Sequence, residues 1–114
     1  MKTEKEKMLA GQLYDPKEAH LCGERCRARN LCKVLNESGD GEQELRGRIR
    51  ELFGSTGEAI WIEPPFYCDY GTNIVLGDNV FFNFNCAVLD PAPVSIRSNV
   101  LFGPAVQIYT ATIH

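Results

Sequence analysis

The chain has 114 residues, about the size of one ordinary domain, and its 44% hydrophobic and 24% charged residues are the balance of a folded globular protein. Fifteen acidic against 12 basic side chains leave a formal charge of -3, which gives neither nucleic acid nor an anionic membrane an electrostatic foothold. No apolar run approaches the ~20 residues that span a bilayer, and MKTEKEKMLAGQLYD carries charges where a signal peptide needs its apolar core, so the expected localisation is cytoplasmic.

The first half carries helix-period patterns. In KEKMLAGQLYD, Met8, Leu9, Leu13 and Tyr14 recur at helical spacing, and Pro16 separates this first helix from a second over PKEAHLCGERCRARNLCKVLNES. There Leu21, Cys22, Cys26, Leu31, Cys32 and Leu35 form an apolar stripe flanked by arginines. SGDGEQ has the chemistry of a loop, and EQELRGRIRELFG predicts a third helix with Leu45, Ile49, Leu52 and Phe53 facing one way and Gly54 as its stop. The five cysteines are odd in number and irregularly spaced, which reads as free thiols. No CxxC pair and no second His/Cys cluster completes a tetrahedral set around Cys22, Cys26 and Cys32, so no metal is expected.

From about Ile60 lysine disappears, and Gly, Asn, Asp and Pro recur among aliphatic and aromatic residues. LGDNVFFNFNCAVLD, from Leu76, aligns with IRSNVLFGPAVQIYT, from Ile96, on a shift of 20 residues. Within each copy apolar positions fall six apart: Leu76, Phe82 and Val88, then Ile96, Phe102 and Ile108. A second set keeps the same step, with Ile74, Val80 and Cys86 followed by Val94, Val100 and Val106. A six-residue period is too short for a helix pair and too regular for hairpins; it predicts a parallel β-helix whose three flat faces meet at corners. Gly77, Asn79, Asn85 and Asn99 belong at those corners, where left-handed backbone angles favour Gly and Asn. A step of 20 in place of 18 puts two extra residues at Asp90 to Pro93, predicted to leave the stack as a loop. The predicted division is a helical segment over 1–55 and the start of a β-helix over 56–114. A coil ending at His114 would expose a strand edge and an apolar interior, so the chain is expected to be a piece of a longer one.

EKEKMLAGQLYDP, RELFGSTGEAIWIEPPFYCDYGTNIVLGDNVFFNFNCAVLD and GPAVQIYTATIH together resemble the maltose and galactoside O-acetyltransferases of the hexapeptide-repeat superfamily, which include the nodulation acetyltransferases. The order WIEPPF, CDYG, NFN carries most of the specificity. The resemblance implies a left-handed parallel β-helix behind helices, a homotrimer with active sites between subunits, acetyl-CoA as donor and the hydroxyl of a small sugar such as maltose or glucose as acceptor. A galactoside or another acceptor, or a non-catalytic remnant, are the alternatives.

By the same resemblance His114 is the general base, an imidazole able to take the proton of a sugar hydroxyl near neutral pH without a covalent enzyme intermediate. Family members read YTATH followed by Pro, whereas this chain reads YTATIH, and a one-residue slip in a strand turns a side chain to the opposite face. Asn83 in NFN matches an asparagine that contacts both acceptor and acetyl donor, and its amide suits either role. Asp69 in CDYG and Asp15 in LYDP match acceptor contacts, although Asp15 also fits a helix N-cap before Pro16. The acidic loop residue of the family falls at Asp90, with Pro91 where galactoside-specific members carry a second aspartate, which places the chain nearer the maltose-type branch. Trp61 and Phe66 are open between stacking on a sugar face and packing in a β-rich core.

Overall fold

The computed structural model of the protein describes residues 1–37 and 42–110. Among them three helices, α1 (Glu4–Leu9), α2 (Ala19–Glu37) and α3 (Glu42–Leu52), precede nine short strands. The SGDG part of the expected inter-helix loop lies outside the described residues, as do Ile113 and His114.

Local chemistry sets the helix ends. Thr3 and Glu6 exchange hydrogen bonds in a capping box that starts α1. The helix ends at Leu9, short of the predicted run through Leu13, whose side chain stands 79% exposed. At the start of α2 the Glu18 carboxylate accepts from the amides of His20 at 2.8 Å and Leu21 at 3.1 Å. The expected cap, Asp15, instead closes the preceding turn, its Oδ1 accepting from the Lys17 amide at 3.0 Å. The buried stripe of α2 is Leu21, Ala28, Cys32 and Leu35. Cys22 and Cys26, predicted on that stripe, are exposed, because a residue one place along a helix is turned by about 100°. In α3, Ile49, Leu52 and the following Phe53 are buried and Leu45 half-buried, as predicted, and the Gly54 amide leaves the helix to donate to Ile74 O at 3.0 Å.

The strands are β1 (Ser55–Thr56), β2 (Trp61–Ile62), β3 (Phe66–Cys68), β4 (Ile74–Leu76), β5 (Val80–Phe82), β6 (Cys86–Leu89), β7 (Val94–Ile96), β8 (Val100–Phe102) and β9 (Gln107–Tyr109). They form three parallel sheets, β1-β4-β7, β2-β5-β8 and β3-β6-β9, the faces of a left-handed parallel β-helix. The register repeats the sequence shift: Ile74 pairs with Val94, Phe82 with Phe102 and Val88 with Ile108. An earlier coil, with no counterpart in the internal repeat read from sequence, keeps the same step through Thr56 with Leu76, Ile62 with Phe82 and Phe66 with Cys86. Inward side chains join α2 and α3 in one core, and Phe53, Phe66, Phe82 and Phe102 form a continuous ring contact within it.

The corners match the asparagine prediction, with φ of 55°, 63° and 63° at Asn79, Asn85 and Asn99, and Asn79 Nδ2 donates to Asn99 Oδ1 at 3.0 Å. Ala59 and Ala105 share this left-handed conformation, held by ladders on either side against their own preference. Gly77 does not adopt it; the next coil comes so close that a Cβ there would lie 2.6 Å from Ser98 N. Residues 90–93 form the predicted loop, the non-strand connection between β6 and β7. Its first residue, Asp90, is fully buried while Pro93 is exposed, and Asn73 Nδ2 donates to Asp90 O at 2.7 Å.

Gly71 combines both constraints, with φ of 76° and a Cβ position 2.5 Å from Leu52 O. Gly71→Ala is expected to cost about 2 kcal/mol in a urea unfolding experiment through backbone strain and the forced retreat of α3. An unchanged midpoint would show that the end of α3 yields freely.

Candidate active site

A cavity of about 320 Å³ opens between α2 and β3. Arg25, Arg29 and Lys33 line it from the helix, and Tyr67, Cys68 and Asp69 from the strand and its continuation. Asn36 pins one wall to the other: its Nδ2 donates to Phe66 O at 3.0 Å and its Oδ1 accepts from Phe66 N at 2.8 Å, as a neighbouring strand would.

Asp69 is half-buried at this wall. Burial pushes its carboxyl above the ordinary value, and the positive charge of Arg25 pulls it part of the way back. Arg25 Nη1 donates to the Tyr70 hydroxyl at 2.7 Å, and Nη2 donates to Pro16 O, so this one guanidinium ties α2 to the loop before it and to the end of β3. Tyr70 is buried with Met8 and Leu21, and Tyr14 packs on that cluster. Asp15 and Asp69, each next in sequence to one of these tyrosines, therefore lie on one flank of the molecule.

Asp90 supports Asp69 from behind. Its Oδ1 accepts from the amides of Asp69 at 3.1 Å and Tyr70 at 2.9 Å, while Oδ2 has no hydrogen-bond partner among the described residues. Burial, with the Asp69 charge adding to it, raises the Asp90 carboxyl to about 6 against the opposing pull of those amides. Predicted as an acceptor contact, Asp90 is completely buried and holds the backbone that presents Asp69. Asp15 is exposed, its amide donating to Glu4 Oε2 at 3.1 Å.

Asn83 follows β5 at the corner before β6; its Oδ1 accepts from Phe84 N at 2.8 Å, leaving its NH₂ without a partner among the described residues. Asp90 follows β6 at the next corner, so the four residues of β6, about 13 Å of strand, separate Asn83 from Asp90 and Asp69. One chain brings Asp69 and Asp90 together and keeps Asn83 apart. His114 lies outside the described residues. Phe66 is core, with ring centroids 5.6 Å from Phe53 and 5.1 Å from Phe82. Trp61 is exposed, its Nε1 donating to Glu63 Oε1 at 2.9 Å. Among the described residues no group of three or more His, Cys, Asp or Glu side chains is placed to hold a metal, and no helix is long and apolar enough to cross a membrane.

Sequence reasoning missed Arg25, Asn36 and Tyr70. A signal for Arg25 existed, since the interval from Leu21 through position 25 to Ala28, Cys32 and Leu35 is the helical period itself, and an arginine on a buried stripe needs a partner.

Residues 7–57 match the maltose acetyltransferase hexapeptide capping motif. Nodulation protein L of Rhizobium meliloti (strain 1021) is 42% identical over 96% of this chain and 61% of its own length. The structure of a maltose O-acetyltransferase from Clostridium difficile 630 superposes with a TM-score of 0.96 at 40% identity, covering 99% of this chain and 61% of that one. A hexapeptide-repeat containing acetyltransferase of Vibrio cholerae O1 biovar eltor, complexed with acetyl coenzyme A, gives 0.80 at 39% identity, covering 93% of this chain and 57% of that one. The chain thus spans about three-fifths of the length of these proteins. The helices, the three-faced coil and the capping motif agree across nearly the whole chain, which belongs to the hexapeptide-repeat acetyltransferase family.

Proposed function

We propose that the protein transfers an acetyl group from acetyl-CoA to a hydroxyl of a small sugar such as maltose or glucose, in the cytoplasm, as a homotrimer. The observation that carries the acceptor side is the Asp69 carboxylate at the wall of the cleft, braced by Asp90 and balanced by Arg25. Such a carboxylate accepts hydroxyl hydrogen bonds, and Asp15 on the same flank supplies a second acceptor. His114 takes the proton of the attacking hydroxyl as its oxygen adds to the thioester carbonyl. The tetrahedral intermediate then collapses, expelling the coenzyme A thiolate. The NH₂ of Asn83 donates to the acetyl oxygen as charge develops there.

The distance along β6 supports a site built from two subunits, with Asn83 of one beside Asp69 of the next. Self-assembly is further supported by the outer face of β2-β5-β8, where Trp61, Phe81 and Leu101 stand in register and Leu101 is 77% exposed, a face a second copy of the chain would cover.

Thiol release from acetyl-CoA should require added sugar. Asp69→Ala should raise KM for the sugar about tenfold, the loss of one charge-assisted hydrogen bond, with a smaller effect on kcat. Release that proceeds equally without sugar would reject the reading, and a His114→Ala protein with an unchanged sugar-dependent rate would remove the base from it.

A further inference from the structure

Cys32 and Cys68 are separated by 36 positions in sequence, yet their sulfurs lie 3.7 Å apart. Cys32 belongs to α2 and Cys68 to β3, and both line the cleft, so a small molecule entering it reaches the pair. We propose that Cys32 and Cys68 form a reversible dithiol–disulfide site across the cleft, oxidised by a peroxide or by exchange with a small disulfide.

The surroundings suit that chemistry. Either sulfur can donate to the other, and their contact holds the Cys32 thiol below its ordinary value, while the same contact and burial push Cys68 up. One thiolate is thereby favoured with its partner still protonated, the state an exchange reaction needs. Arg25, Arg29 and Lys33 add positive charge at the same wall. With hydrogen peroxide, the Cys32 thiolate attacks one oxygen, the O–O bond breaks, and a proton converts the departing hydroxide to water, leaving a sulfenic acid at Cys32. Cys68 then attacks that sulfur, forming the S–S bond and releasing a second water. Two thiols lose two electrons and the peroxide gains them.

Closing 3.7 Å to the ~2.05 Å of a disulfide requires one wall of the cleft to move. Cys32 sits inside a 19-residue helix, whereas Cys68 is the last residue of a three-residue strand, so the strand end yields and carries Asp69 with it. A consequence for sugar binding rests on the acceptor role given to Asp69. The thiol chemistry does not.

The test uses the chain with Cys22→Ser and Cys26→Ser, both exposed and outside the cleft, leaving Cys32, Cys68 and the buried Cys86, whose sulfur donates to Gly103 O. After hydrogen peroxide, unfolding in iodoacetamide should alkylate one cysteine where the untreated chain alkylates three. The Cys32 and Cys68 peptides should appear joined and lighter by two hydrogens, and dithiothreitol should restore both thiols. In the same background Cys68→Ala should yield no joined peptide. Three alkylated cysteines after peroxide, or oxygen added separately at Cys32 and Cys68 without a link, would overturn the proposal. Peptide mapping reads only the sulfurs, so its outcome is separate from any result with sugars.

Discussion

Phe82→Ala is expected to lower the unfolding free energy by about 3–5 kcal/mol, the range for deleting a fully buried aromatic side chain. The ring is 1% exposed, meets Phe66 edge-on at 5.1 Å between centroids and stacks on Phe102 at 4.7 Å, so its loss opens a cavity between two faces of the coil. Neighbouring strands are held in parallel register by ladders on every face and cannot collapse inward to fill it. Phe82→Leu, which retains most of the volume, should cost far less. Phe102→Ala, at a half-buried position on the same face, should fall between the two. Urea unfolding followed by circular dichroism would read all three. Equal losses at Phe82 and Phe102 would show that the aromatic column does not bear the load unevenly.

The second large effect is expected at Asp90. Asp90→Ala removes the acceptor of two backbone amides and should cost about 3 kcal/mol, since both donors are left in a water-poor corner. Asp90→Asn keeps an oxygen for those amides and discards a negative charge, so it should be much milder. The pH dependence separates the two contributions. The carboxyl stands near 6 in the folded chain against an ordinary value of 3.8, so the folded state binds the proton more tightly than the unfolded one. Its contribution to stability is full below the unfolded value and declines as pH rises from about 4 through 6, by roughly 3 kcal/mol in total. Unfolding titrations across that range should show the decline in the parent chain and lose it in Asp90→Asn, with the latter at least as stable as the parent at pH 8. A parent chain that grows steadily more stable through this interval would contradict the assignment.

The hexapeptide coils were legible because inward positions on a flat three-residue face leave little choice: Leu76, Phe82 and Val88 recur at the predicted step and pair with Ile96, Phe102 and Ile108. The coil formed by β1, β2 and β3 was harder to see, since Ser55 and Thr56 offer no aliphatic signature and Pro64-Pro65 fills a corner held by Asn85 and Ala105 in the later coils. The cysteines of α2 misled in the other direction. Cys22 and Cys26 are apolar enough to extend a stripe, but the arginine between them, Arg25, is the residue that turns inward, because Tyr70 waits there with a hydroxyl. That partner is 45 positions away, a distance no local pattern spans. Asp90 shows a related limit: the family resemblance implied an acceptor contact there, and the two backbone amides directed at its carboxylate come into view only in the tertiary fold.

The constant offset of the ladders also bears on how the chain reaches its fold. Every strand beyond the first coil finds its partner 20 residues back, so each closure fixes a loop of the same modest length at much the same entropic cost. Folding can then advance as a zipper from the nucleus where α2 and α3 seat on the first coil, each finished turn becoming the template for the next. In such a chain the separation between partners does not grow with length, and the sluggishness usual for parallel sheets is eased turn by turn.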